Sequence, residues 1–429
     1  MHLVVIGLNH KTAPVEIREK LSVSADALPD ALAGLKALGP ISECLILSTC
    51  NRTEVYAYTS SRADDELIVT WIGEFFGVPL EEFQLHLYSH AGHKAVEHLF
   101  QVASGIDSMV VGEAQILGQV KEAYAAASGQ GVSGPVLNNL FQQAITVGKR
   151  ARTETDIGRG AFSVGSVAVQ LAGSIFDELN GRKVLIVGAG KMGELTTTHM
   201  VSSGASMVLV ANRTYDRAVS LASQFNGRPV KFEELPTALA TADIVITSTG
   251  ARAPIITRGM VSSAMHARRG RPVFFIDIAV PRDIEPGVGD LDNVFVYNID
   301  DLQAAVETDA AGRHAEVAKV DTIVQQEVEE FMRWFRTLDA VPIITALREK
   351  FEEIRAAELE KLKSRIPDLT DEEIEAINAT TRSIVNKICH QPMIQIKEYA
   401  TGSDSGSRLD TICEVFGICP VEGETEDKK

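Results

Sequence analysis

Apolar positions recur along this chain in two rhythms, and the switch between them divides it. Over roughly the first 150 residues, short apolar runs alternate with helical patterns, which predicts an α/β domain. Residues 3–7 read as a strand, 9–14 as a polar loop, and 17–21 and 25–38 as helical, closed by Gly39 and Pro40. Residues 44–47 form an apolar run and 54–59 alternate, so two strands flank a short polar turn with Cys50 near its tip. Amphipathic helices follow over 64–76 and over 94–104, the second with Val96, Leu99, Phe100 and Ala103 as apolar positions. Gly105, Gly112 and Gly118 then punctuate a mixed segment over 107–119.

A long helix over 162–179 breaks at Asn180 and Gly181. Residues 184–187 are continuously apolar, as a parallel strand covered on both faces should be. Residues 207–210, 244–247 and 273–278 repeat that character with helical patterns between, which predicts a doubly wound sheet. After Asn298 only helical spacing remains. Val317, Val320, Val324, Val328, Phe331 and Phe335 form one stripe, and Leu347, Phe351 and Ile354 begin another that stops at Pro367. Thr370 and Glu373 make a capping box for a further helix with Ile374, Ile377, Ile384 and Ile388 on one face. The division expected is 1–158, a catalytic domain; 159–300, a dinucleotide-binding domain; and 301–429, a long helix followed by an all-helical domain whose stripes pack against a partner.

Composition changes this picture mainly for partners. The formal net charge is −17, so the chain repels nucleic acid at long range and any RNA contact needs a local basic patch. Lys149, Arg150 and Arg152, and Arg268, Arg269 and Arg271, are the best patches; ordinary solvated charge is the alternative for both. The 5 cysteines (Cys44, Cys50, Cys389, Cys413, Cys419) include no C-x-x-C pair, which argues against a structural zinc site or a disulfide framework and for a reducing compartment. No apolar stretch approaches the roughly 20 residues of a membrane span, so a soluble cytoplasmic protein is expected.

Two motifs carry chemistry. Gly188-Ala189-Gly190-Lys191-Met192-Gly193 fits the dinucleotide fingerprint G-x-G-x-x-G, and it lies between a strand and a helix, the context that motif requires. The glycines permit a tight turn and let backbone amides approach a pyrophosphate. An NAD site would place a carboxylate after the second strand; here Asn212-Arg213-Thr214 stands instead, and Arg213 can pair with a 2′-phosphate, so NADPH is expected over NADH. The second motif is the Cys50 turn. Polar neighbours on both sides argue for a reactive thiol, and Arg52 could lower its pKa or hold a substrate carboxylate. Cys44, inside an apolar run, reads as core. His86 and His90 have metal-ligand spacing, but Gly92 argues against a helix and no metal is expected. His98 lies between apolar positions, as a core histidine or as an acid/base.

The residues 48–54 (Ser-Thr-Cys-Asn-Arg-Thr-Glu), 103–108 continuing through 111–120, and 188–193 together resemble the glutamyl-tRNA reductase family over essentially the whole chain. The resemblance implies that Cys50 attacks the ester joining glutamate to the tRNA 3′ end, that a thioester forms as tRNA leaves, and that NADPH reduces it to glutamate-1-semialdehyde for tetrapyrrole synthesis. By matching position it assigns the glutamyl group to Thr49, Cys50, Asn51, Arg52, Ser108, Glu113, Ala114, Gln115 and Gln119, and gives His98 an acid/base or an orienting role. It implies a V-shaped homodimer joined through the C-terminal helices, and it raises glutamate-1-semialdehyde aminomutase as a partner. Ala114 departs from the family pattern, in which proline is common there. Two rivals share parts of the signal: a semialdehyde dehydrogenase acting on an acyl phosphate, and a nucleotide-binding redox sensor with Cys50 as its sensing thiol.

Overall fold

The computed structural model describes residues 2–113, 115–158, 164–306, 314–402 and 405–418. By its contacts the chain forms two compact units, Met1–Glu327 and Val328–Lys429.

The first unit holds two sheets. The N-terminal sheet is four-stranded, in the order β2-β3-β1-β4. Its strands are β1 (His2–Asn9), β2 (Ile41–Ser48), β3 (Arg52–Thr59) and β4 (Tyr88–Ala91), and every pairing is antiparallel. All of β3 is buried, so both faces of this strand are covered. Val55 borders a small cavity with Trp71 and Ile72 of helix Asp65–Phe76, whereas Tyr56 meets Phe141 of helix Pro135–Glu154 edge-on at 5.2 Å. A strand's period of two places Arg52, Glu54 and Tyr56 together on the second face. β4 was not legible: its four residues, Tyr-Ser-His-Ala, are too few and too polar to show an alternation.

The second sheet is six-stranded and parallel, in the order β10-β9-β8-β5-β6-β7. These are β5 (Lys183–Gly188), β6 (Met207–Ala211), β7 (Arg228–Val230), β8 (Ile244–Ser248), β9 (Val273–Asp277) and β10 (Val294–Asn298). The continuous apolar runs have the expected cause. Val184 and Ile186 enter one core with Ala168, Ala172 and Met200, while Leu185 and Val187 enter another with Leu239, Val261 and Ala264. From β5 the chain runs outward through β6 to β7 and then crosses back to place β8 on the other side of β5, so Gly188 at the end of β5 sits at the switch point where doubly wound sheets bind ligands. The helix expected from residue 162 is described as Val164–Phe176.

The second unit is helical. Helices Ala340–Arg365, Asp371–Ala400 and Ser405–Phe416 share a core of Ala340, Ile343, Leu347, Ile396, Ala400, Leu409, Cys413 and Ile418. The capping box at Thr370 is present: its hydroxyl accepts from Glu373 N, and the Glu373 carboxylate accepts from Thr370 N at 2.9 Å. Of the stripe expected on the middle helix, Ile384 and Ile388 are 51% and 57% exposed, so this unit leaves them uncovered. The charged tail beginning at Glu422 lies outside the described residues.

Candidate active site

The turn Thr49-Cys50-Asn51 joins β2 to β3, and Thr49 organises it. Thr49 N donates to Arg52 O at 2.8 Å, and the Thr49 hydroxyl accepts from Asn51 N and Arg52 N at 3.1 Å. With the turn closed in this way, Cys50 projects from a rigid strand end and is half-buried. Burial pushes its thiol up to about 12, with Glu113 adding to the rise, so the resting group is a protonated thiol. The cation that opposes this is Arg18 rather than Arg52. Arg18 is buried at the end of the short helix Val15–Arg18, and its Nη1 donates to Cys50 O at 2.7 Å and to Asn51 Oδ1 at 3.3 Å. Arg18 carried no local sequence signal, because it meets the turn from 32 residues away.

Arg52 faces a buried network. Its Nη1 donates to Glu54 Oε1 at 2.7 Å and to Asp107 Oδ2 at 3.1 Å, and Nη2 donates to Asp107 O. It is therefore already paired with two carboxylates and is not a free clamp in this structure. Glu54 is fully buried and accepts from three further donors: Tyr56 hydroxyl at 2.6 Å, Tyr88 hydroxyl at 2.6 Å and His98 Nε2 at 2.9 Å. Burial alone would push the Glu54 carboxyl up, but Arg52 and then His98 hold it well below the usual carboxylate range. Burial would likewise pull Arg52 toward neutrality, and Glu54, Tyr88 and Asp107 keep it charged. Lys11 completes the chain of charges by bonding Asp107. His98 belongs to this network; among the described residues it makes no hydrogen bond to Cys50. Glu54, Tyr56, Tyr88 and Asp107 were missed by sequence reasoning, although the alternation 52-54-56 marks Arg52, Glu54 and Tyr56 as one face.

A cavity of about 400 Å³ brings much of the expected site together. It is lined by Cys50, by Gln115, Gly118, Gln119 and Glu122 of helix Gln115–Gly129, by Lys191 and Met192 of the fingerprint, and by Ser248, Thr249 and the segment Ile278-Ala279-Val280. A neighbouring cavity of about 510 Å³ is lined by Thr49, Ser48, Lys20, Arg252 and Val280 among others. Asn51, Arg52, Ser108 and Glu113 line neither. Ser108 is buried, and among the described residues its hydroxyl has no hydrogen-bond partner. Burial raises the Glu113 carboxyl above its ordinary value. Ala114 lies outside the described residues.

The fingerprint forms a cradle. Gly188 has φ +105°, and a Cβ there would strike the Ser248 carbonyl oxygen. A Cβ on Gly190 would strike the Ser248 hydroxyl, and one on Gly193 would come within 3.0 Å of Ser248 Cβ. Gly190 is the N-cap of helix Lys191–Ser202, and among the described residues no side chain caps that end. Its first-turn amides are therefore available to an anion, and the site fits a dinucleotide pyrophosphate. Lys191 pairs with Glu122 across an exposed surface at 2.7 Å. At the end of β6, Asn212 Oδ1 accepts from Thr214 N at 2.9 Å, while Arg213 is exposed and makes no ion pair among the described residues.

The basic runs have a different fate from the one expected. Arg268 is buried and donates to Ala242 O, to Pro272 O at 2.7 Å and to Asp243 at 3.1 Å, because it fastens the end of helix Arg258–Ala267 beneath the sheet. Arg150 pairs with Glu154 and Glu327, and Arg152 donates to Glu113 O at 3.0 Å. Only Lys149, Arg269 and Arg271 remain exposed.

Family models match in three consecutive stretches. Residues 6–155 match the N-terminal domain of glutamyl-tRNA(Glu) reductase, 170–305 match shikimate/quinate 5-dehydrogenase, and 319–418 match the glutamyl-tRNA(Glu) reductase dimerisation domain. The glutamyl-tRNA reductase of Halalkalibacterium halodurans is 45% identical, over 100% of this chain and 94% of its own length. That of Brevibacillus brevis is 45% identical over 97% and 92%. Among solved structures, the glutamyl-tRNA reductase from Methanopyrus kandleri aligns with a TM-score of 0.54 and 34% identity, covering 97% of this chain and 99% of that one.

Proposed function

The chain belongs to the glutamyl-tRNA reductase family, and from that premise we propose that Cys50 carries the glutamyl group as a thioester and that NADPH is the reductant. The reaction reduces glutamyl-tRNA to glutamate-1-semialdehyde, releases the tRNA and serves tetrapyrrole synthesis. The dinucleotide-binding fold supplies an NAD(P) site, and the dimerisation domain makes the enzyme a homodimer. The observation that carries the thioester reading is that Cys50 and the fingerprint residues Lys191 and Met192 line one shared cavity.

The thiol begins protonated. As its sulfur bonds to the ester carbonyl carbon, its proton passes to the departing tRNA 3′ oxygen as the C–O bond breaks. Splitting the reaction replaces an ester with the more electrophilic thioester. Gln115 and Gln119 line the same cavity as Cys50, which supports a role in holding the glutamyl group, and Ser108 has a buried hydroxyl with no partner among the described residues. Thr49, Asn51, Glu113 and Ala114 are assigned to it by family position. Arg52 and His98 act through the network around Glu54, which orients His98 by its Nε2. Gly188, Ala189, Gly190 and Gly193 would hold the pyrophosphate, and bound NADPH supplies the hydride. We take residues 1–158, 159–300 and 301–429 as the catalytic, cofactor and dimerisation parts. Exposed Ile384 and Ile388 support a dimer joined through the C-terminal helices. On family grounds alone we propose glutamate-1-semialdehyde aminomutase as the enzyme that takes the product. No described helix is long and apolar enough to cross a membrane; the free thiols of Cys44, Cys50 and Cys389 support a cytoplasmic location.

The thioester is tested with glutamate-labelled Glu-tRNA and no reductant. Label should stay on the acid-precipitated protein and be released by neutral hydroxylamine; protein that never acquires label excludes the intermediate. The cofactor choice is tested at Arg213. Arg213→Ala should lower the preference for NADPH over NADH by about tenfold, the value of one charge-assisted contact. An unchanged preference would remove Arg213 from cofactor selection.

A further inference from the structure

Arg18 is the side chain that joins the Cys50 turn to the nucleotide-binding half. Nε donates to Ala13 O at 3.2 Å, Nη1 holds Cys50 O and Asn51 Oδ1, and Nη2 pairs with Asp300 Oδ1. Asp300 lies in the first turn of helix Ile299–Val306, directly after β10. Its backbone is fixed there, because Asn298 Oδ1 accepts from Asp300 N at 2.8 Å and from Asp301 N at 3.1 Å. A second contact runs parallel to this one. Arg282, which follows the cavity segment Ile278-Ala279-Val280, pairs with Glu19 and Glu16 at 3.0 Å. Glu19 is the residue next to Arg18. Both ends of the short helix Val15–Arg18 are thus tied to the nucleotide-binding half.

We propose that the Arg18–Asp300 pair is a positioning device that couples seating of the nucleotide-binding half to the reactivity of Cys50. One guanidinium fixes the carbonyl of the nucleophile and is itself fixed by a carboxylate from the half that delivers reducing equivalents. When the pair is made, the thiol points into the cavity shared with the fingerprint, and Asp300 takes up part of the positive field of Arg18. When the pair is broken, that field acts on Cys50 undiminished while the two halves lose their alignment. The device therefore restrains the thiol and favours the second chemical step.

This inference rests on the Cys50 thioester only for its kinetic arm, and the experiment separates the two. In full-length Asp300→Asn protein, alkylation of Cys50 by iodoacetamide at fixed pH, followed by mass spectrometry, should run about threefold faster than in the wild type, as a thiol relieved of a nearby anion should. Label transfer from Glu-tRNA without reductant should persist, while steady-state NADPH oxidation falls about tenfold in kcat because alignment is lost. Arg18→Lys keeps a charge but loses the fork; it should slow both alkylation and label transfer. A purely structural contact would not accelerate one reaction of Cys50 while slowing another. If wild-type protein takes up no label, the thioester reading fails. If it does, and Asp300→Asn matches the wild type in alkylation and in turnover, or loses both together, the coupling is wrong.

Discussion

Cys50→Ser should abolish glutamyl-tRNA-dependent NADPH oxidation, with a loss of about a thousandfold or more in kcat. The hydroxyl keeps the size and hydrogen-bonding capacity of the side chain but removes the thiol's nucleophilicity. The turn itself is built by Thr49, Arg18 and the backbone, so the fold and dinucleotide binding should be untouched. Cys44→Ser is the matched control. Cys44 is buried in β2 with its sulfur 3.9 Å from Leu32 O, far from this chemistry in role. It should change stability slightly and kcat little. The assay pairs Glu-tRNA and NADPH with each protein, and dinucleotide binding is followed separately by fluorescence. A serine variant that keeps a tenth of wild-type turnover would remove Cys50 as the nucleophile. The same assay decides between the rival readings: turnover of an acyl phosphate without tRNA would indicate the dehydrogenase class, and no substrate-dependent oxidation by the wild type would indicate a sensor.

Glu54→Gln should be the most destabilising conservative change in the N-terminal sheet. Four donors converge on Glu54: Arg52, His98, Tyr88 and Tyr56. An amide cannot balance the guanidinium, and its own N–H groups would point at donors. Breaking a buried pair while leaving one charge in place costs about 3–5 kcal/mol. Activity should fall with stability, by about a hundredfold, because the network anchors the start of β3 beside the Cys50 turn. The pH dependence has a definite sign. The folded Glu54 carboxyl titrates below its ordinary value of 4.5, so its contribution is complete above that pH and fades as pH falls toward the folded pKa. The gap in unfolding free energy between wild type and variant should therefore be full at pH 7 and shrink below pH 4.5. Denaturant titrations at pH 7 and pH 3 would check this; a gap that stays constant, or is absent at pH 7, would show that the charge of Glu54 is not what holds the network.

What the chain's pattern made legible was whatever depends on neighbours in sequence. The strand-turn-strand around Cys50 follows from an apolar run, a polar break and an alternation. The fingerprint follows from glycine spacing between a strand and a helix, and the capping box at Thr370 is likewise local. The pairings that set the site's electrostatics are not local. Arg18 meets Cys50 across 32 residues, Arg52 meets Asp107 across 55, and His98 meets Glu54 across 44. Nothing in the surroundings of Arg18 distinguishes it from a solvated arginine. Arg268 shows the same limit from the other side. Set in a basic run, it reads as surface charge, yet carbonyl oxygens and Asp243 make it one of the largest fully buried side chains. A run of like residues says how much charge is present, not which way each side chain turns.

The 282-residue separation between Arg18 and Asp300 has a consequence for the newborn chain. Ribosomes add about 5–20 residues per second, so Asp300 emerges on the order of tens of seconds after Arg18. During that interval the N-terminal sheet can assemble from its own strands, but a buried guanidinium still lacks its carboxylate. The catalytic domain should therefore be born competent in shape and incomplete in charge. Its last adjustment, around the thiol itself, waits for synthesis of the helix that follows β10.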